Sequence, residues 1–234
     1  MYTFDTTVSY SRLDKTGNVP YYEIMNYMQD SSTFQSECLG TGIEHMKSVN
    51  KAWVVLAYKI MFYKSMKLGD EISIGTSPAD FDKVMAKRQY FIKDKEGNYI
   101  VKAETIWALI DLDKRIPVRI QEEDIKMYQP APVFDDVKVS RKVRLNGERK
   151  RLEAFKVLRS YIDGNGHMNN ASYLRAAEDY LPEQKQYSQL EIVYNKEALE
   201  GETIIPYLYE EENAIGIKFE SESGELHTLI KLTL

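Results

Sequence analysis

The chain has 234 residues, enough for one large domain or for two of about 100 to 130 residues that each bury a core. Its 36 acids outnumber its 31 bases for a net charge of −5, which argues against general nucleic-acid binding, and a single cysteine excludes an internal disulfide framework. One thiol suits a reducing compartment, no apolar run is long enough to span a bilayer, and Met1 leads almost directly into YTFDTTVSYS without a charged-then-apolar leader; the expected location is cytoplasmic, with no membrane partner.

Residues 2–11 alternate apolar and polar side chains and predict a strand. Over 20–39, Tyr21, Ile24, Met25 and Met28 recur at helical spacing and Gly40 supplies the stop, so a first helix is expected. Cys38 falls among that helix's apolar positions and reads as buried filler rather than a reactive thiol. Strands are expected at 53–65, 70–77 and 83–93, and the turn DKEGN at 94–98 joins the last to a further strand, YIVKAETIWALID. The string QPAP at 129–132 marks the start of a linker, and 138–159 forms a basic segment in which Arg149, Lys150 and Arg151 stand in a row, opposed only by Glu148 and Glu153. The rest reads as a strand at 153–161, a helix at 170–181 ended by Pro182, and strands at 188–196, 202–209, 213–220 and 225–233. One helix followed by several antiparallel strands, twice over, is an α+β order in which each helix packs across a sheet. The expected division is 1–130, a linker at 131–152, and 153–234.

The two halves share a degraded pattern. Aligning Asp163 with Asp14 places Gly166 on Gly17, Val157 on Val8, Ser160 on Ser11 and Asp179 on Asp30 without a gap, and KEALEGETIIP at 196–206 resembles KSMKLGDEISI at 64–74. Two copies of one fold in one chain are therefore expected. The copies differ in their polar residues. Asn165, His167 and Glu197 fall on Thr16, Asn18 and Ser65, so the second copy keeps a set of which the first retains only the aspartate.

That set is concentrated in YIDGNGHMNNASY at 161–173, where a carboxylate, amides and an imidazole precede a helix capped by Asn169 and Asn170. Glycines between Asp163, Asn165 and His167 let backbone N–H groups approach a ligand. A D-G-N-G string alone is a common turn; His167, the capped helix and Glu197 on a later strand turn the reading toward catalysis. His45 and His227 have no ligand-spaced partners, so ordinary surface or loop positions and no metal site are expected.

The order strand, D-x-N-x-H-x-N-N, helix, then a strand ending Y-x-x-E resembles the acyl-acyl carrier protein thioesterases, tandem hotdog enzymes of plants and bacteria. The resemblance covers nearly the whole chain: WVVLAYKIMFYKSMKLGDEISIGT at 53–76 is similar to the family's first-domain Trp-Val-Val segment with its Gly-Asp turn, and AETIWALIDLDKRIPVRI at 103–120 to the strand that closes the first hotdog. It implies hydrolysis of fatty acyl thioesters on acyl carrier protein without a cofactor, with Asp163, Asn165, His167 and Glu197 as the catalytic set. It also implies an acyl pocket lined by the first-copy helix, through Tyr21, Met25 and Met28, and leaves room for a homodimer. Many plant members carry a cysteine after the glutamate; Ala198 stands there in this chain, so water must be the nucleophile.

The chemistry of the residues agrees. A thioester carbonyl needs a nucleophile, a proton acceptor and donors aimed at the developing oxyanion. A histidine, titrating near ~6.5 in isolation, suits general-base work, and a glutamate orients such a ring and stabilises its cation. Asn165 positions the water or holds the carbonyl, Asp163 fixes the turn, and N–H groups at Asn169 and Asn170 face the oxyanion; the residues alone leave these roles interchangeable. Enoyl hydratases of this fold resemble D-x-N-P-x-H, one residue longer than the spacing here, while acyl-CoA thioesterases share both bond and fold. Acyl-binding sensors resemble a hotdog joined to a DNA-binding module, for which this chain has no room. Acyl carrier protein is strongly acidic, so Arg149, Lys150 and Arg151 are expected to steer it, against the alternative of an exposed strand edge guarded by cations.

Overall fold

The computed structural model describes residues 1–182 and 185–234. The chain divides into two compact units, Met1–Val139 and Ser140–Leu234. The first contains β1 (Tyr2–Thr7), a 3-10 turn (Tyr10–Arg12), α1 (Tyr21–Cys38), α2 (Ile43–Ser48), β2 (Lys51–Phe62), β3 (Glu71–Phe81), β4 (Met85–Asp94), β5 (Tyr99–Asp111), β6 (Ile116–Pro117) and α3 (Glu122–Ile125). Its strands run antiparallel in the order β1-β3-β4-β5-β2, with β6 on β5.

Helix α1 lies against β1 and β3 and buries Ile24, Met25, Tyr27 and Met28, the apolar stripe that the spacing predicts. Beyond Met28 the buried face turns polar, with Ser31, Ser32 and Gln35. Each of these finds a partner: the serine hydroxyls donate to the carbonyls of Met28 and Gln29, and Gln35 Oε1 accepts from Arg88, which also donates to Thr76 Oγ1 at 3.1 Å. Gly40, at φ +70°, ends the helix as expected, but Cys38 is exposed rather than buried, because the stripe has rotated past it in the last turn.

The second unit contains β7 (Arg149–Arg151), β8 (Phe155–Lys156), a 3-10 turn (Arg159–Tyr161), α4 (Asn170–Glu178), β9 (Gln189–Tyr194), β10 (Thr203–Glu210), β11 (Ala214–Ser221) and β12 (Leu226–Thr233). The order β9-β12-β11-β10-β7, with β8 on β10, repeats the first unit's topology. The long strand expected at 153–161 shrinks to two residues: Val157 N–H reaches Glu202 O at 2.9 Å, and the chain then leaves the sheet for the 3-10 turn. Strand β1 is cut short by the same event, with Val8 N–H on Asp70 O at 2.9 Å.

The duplication extends to individual hydrogen bonds. Gly69 N–H to Val8 O is matched by Gly201 N–H to Val157 O, Asp14 N–H to Asn18 O by Asp163 N–H to His167 O, and Val19 N–H to Met66 O by Met168 N–H to Ala198 O. Gly17 and Gly166 take φ +80° and +83°, a region that strains other residues and closes the turn in both copies.

The expected linker at 131–152 is not a free connector. Ala131 N–H bonds Pro78 O at 2.8 Å, and the buried Gln89 side chain accepts from Val133 and Phe134 N–H (2.7 and 3.2 Å) while donating to Phe134 O and to Glu104. Glu104, also buried, accepts from Val139 N–H at 2.9 Å. Farther on, Asn146 N–H bonds Glu211 and Arg149–Arg151 pairs with β10, and the two compact units meet at Val139/Ser140. Gln89→Leu strips these partners at once and should cost at least about 2 kcal/mol in chemical denaturation, since each buried group left unpaired is penalised; a loss under about half of that figure would show that the segment is held by packing alone.

Candidate active site

The turn that carries the polar set is built from its own backbone. Asp163 Oδ1 accepts Asn165 N–H at 2.8 Å, and Asp163 O takes Gly166 N–H at 3.1 Å. Asn169 N–H reaches Tyr161 O at 2.8 Å and its side-chain oxygen caps α4 by accepting Ala171 N–H at 2.8 Å, while Tyr194 Oη donates to Asn170 O at 3.1 Å. Asp163 is thus a turn-former, as is Asp14, whose Oδ1 accepts Thr16 and Asn18 N–H at 2.8 and 3.1 Å.

His167 points from this turn to the loop after β9, where its Nε2 lies 3.2 Å from Glu197 Oε2. The imidazole is 16% exposed and the carboxylate 44%, a partly desolvated base beside a wetter acid. Asn165 joins the turn through its N–H and its side chain is exposed. In the first copy the polar groups are spent on each other: Asn18 Nδ2 donates to Thr16 Oγ1 at 2.9 Å, which donates to Asp14 Oδ1 at 2.7 Å.

The other expected site residues lie elsewhere. Met25 and Met28 are fully buried in α1, and Tyr21 packs on Phe62 with ring centroids 4.7 Å apart. Arg149, Lys150 and Arg151 form β7; the Arg149 guanidinium lies 3.6 Å from the Tyr207 ring centroid and 2.6 Å from Glu220 Oε2, while Lys150 and Arg151 are exposed. His45 is exposed as expected, but His227 is buried on β12, a position the residue spacing did not reveal. Among the described residues no three His, Cys, Asp or Glu side chains are grouped to hold a metal, and no helix is long and apolar enough to cross a membrane.

A helix packed on a five-stranded antiparallel sheet, present twice with a histidine–glutamate pair in one copy, defines a tandem hotdog. The Acyl-ACP thioesterase N-terminal domain model matches residues 1–128 and the C-terminal domain model residues 146–233, so the chain belongs to the acyl-acyl carrier protein thioesterase family and is a hydrolase of fatty acyl thioesters on that carrier. Its fold is similar to that of an acyl-ACP thioesterase from Bacteroides thetaiotaomicron (21% identity, TM-score 0.86, 99% of this chain and 96% of that one). It is also similar to a 12:0-ACP thioesterase from Umbellularia californica (13% identity, TM-score 0.84, 99% and 96%). A Staphylococcus aureus protein solved in complex with CoA matches 59% of this chain and 94% of its own length (14% identity, TM-score 0.54). A comparison with curated proteins found no match.

Because Cys38 is exposed and Ala198 is buried beside Glu197, a thiol is accessible but lies on α1, outside the polar turn. Cys38→Ser should retain most turnover, and iodoacetamide should label the native protein at this residue without inactivating it; substrate-protected inactivation on labelling would make the thiol part of the site.

Proposed function

We propose that His167 and Glu197 activate a water molecule for attack on the thioester carbonyl of a fatty acyl chain carried by acyl carrier protein. The observation that supports this is the 3.2 Å approach of His167 Nε2 to Glu197 in the second copy, where the first has Asn18 and Ser65. A carboxylate only accepts, so Nε2 donates to Glu197 and Nδ1 receives the water's proton, the glutamate stabilising the resulting imidazolium. The hydroxide adds to the carbonyl carbon, the C–S bond then breaks, and the imidazolium returns its proton to the departing thiolate of the phosphopantetheine arm, releasing it as the thiol. Asn165, whose side chain reaches solvent from the turn, positions the water or the carbonyl. Asn169 N–H is committed to Tyr161, so Asn170 N–H, at the positive end of α4, is the donor for the oxyanion. Tyr21, Met25 and Met28 limit acyl length, the unbranched methionines adapting to the chain end.

His167→Ala should lower kcat by roughly a hundredfold or more, the range for losing a general base, and Asn18→Ala should leave it intact. Equal losses from the two would overturn the assignment of chemistry to the second copy.

The carrier is recognised through β7. All three β7 cations are exposed; Arg149 is also engaged by Tyr207 and Glu220, so Lys150 and Arg151 are the pair whose charge is not already committed within the sheet edge. Lys150→Glu with Arg151→Glu should raise KM for acyl carrier protein substrates but not for acyl-CoA, and wild-type kcat/KM on the carrier substrate should fall with salt, as expected for contacts screened over about 8 Å. An equal effect on both substrates, or none, would make β7 a guarded sheet edge only.

A further inference from the structure

Glu197 has an exposed side chain, yet the peptide groups on either side of it are gripped from inside the unit. His227 on β12 places Nδ1 3.1 Å from the carbonyl oxygen of Lys196; a carbonyl only accepts, so Nδ1 carries the proton and donates. On the other side, Ala198 N–H donates to the phenol oxygen of Tyr173, on α4, at 3.1 Å. Both side chains are almost wholly buried, at 1% and 2% exposure. His227 Nε2 meets no partner among the described residues, so the bond from Nδ1 to Lys196 is the one hydrogen bond this buried ring makes with them. Burial raises the Tyr173 pKa.

The first copy shows that these polar groups are not requirements of the fold. Tyr63 N–H to Ile100 O repeats Asn195 N–H to His227 O, and the pair Phe62 and Val101 repeats Tyr194 and Thr228 in register. The alignment that sets Asn165 on Thr16 sets Tyr173 on Ile24. Buried Ile24, Ile100 and Val101 therefore stand where the second copy has Tyr173, His227 and Thr228. The copy with Ser65 has aliphatic side chains at these places, and the copy with Glu197 has polar ones.

We propose that His227 and Tyr173 are positioning residues for Glu197: by fixing the carbonyl before it and the N–H after it, they hold its carboxylate within reach of His167. The third tie is Met168 N–H on Ala198 O at 2.9 Å, which links the same loop to the residue after His167. The proposal rests on the reading that the His167–Glu197 pair activates water. An asparagine at 227 brings its amide nitrogen to the place of Nδ1, whereas leucine removes the donor and keeps the bulk. Tyr173→Phe keeps the ring packed on Tyr194 and Phe219 and removes the hydroxyl that accepts from Ala198 N–H.

Steady-state kinetics on a fatty acyl-acyl carrier protein substrate test this. His227→Leu and Tyr173→Phe should each lower kcat about tenfold or more with KM little changed, the scale of a catalytic group displaced by a fraction of an ångström. His227→Asn should recover most of the loss, and on a Glu197→Ala background neither change should lower kcat further. Retained kcat in both variants, an asparagine as impaired as the leucine, or losses that multiply in full on the Glu197→Ala background would overturn the proposal. Unaltered kcat in Glu197→Ala and His167→Ala themselves would instead remove the active-site reading beneath it.

Discussion

One backbone hydrogen bond organises the candidate site: Met168 N–H to Ala198 O. It ties the glycine-rich turn before α4 to the loop after β9, and so places His167 and Glu197, thirty residues apart in the chain, on facing segments. The same bond exists in the first copy, from Val19 to Met66, where no such pair faces across it. The scaffold is thus independent of the chemistry. Only because the strap is a main-chain interaction could one copy change its side chains without losing the fold.

The copies resolve the same backbone problem with different side chains. In the first turn Asp14, Thr16 and Asn18 satisfy one another, which makes a closed and self-sufficient loop. In the second, Asp163 keeps the turn-forming role while the histidine is directed outward to a carboxylate. The interior diverges in step. The first unit concentrates its buried polar groups beneath the second half of α1 and under the segment at 131–139, where Gln89 and Glu104 satisfy main-chain N–H groups. The second unit places them behind Glu197. Buried polar atoms are tolerated where a bond is needed, and the two copies need it in different places.

The basic segment changes meaning once it is placed. Read along the chain it is a single charge run, but in β7 Arg149 is drawn onto Tyr207 and Glu220 while Lys150 and Arg151 are exposed without such ties. An arginine stacked on an aromatic ring and paired with a carboxylate is part of the sheet edge rather than a loose cation.

The residues by themselves determined the α+β order, both principal helices, most strands and the duplication, because these depend on local periodicity and on glycines that alone accept φ near +80°. They also singled out Asp163, Asn165, His167 and Glu197, since polar types at fixed spacing in one copy and not in the other stand out in one dimension. Tertiary structure decided what depends on partners distant in sequence. It set the end of the strand expected at 153–161, exposed Cys38, buried His227, and attached 131–139 to the first unit through Gln89 and Glu104. A hydrogen bond between β12 and the residue before Glu197 leaves no periodic trace, because its energy depends on where two remote segments meet and on the exclusion of water around them.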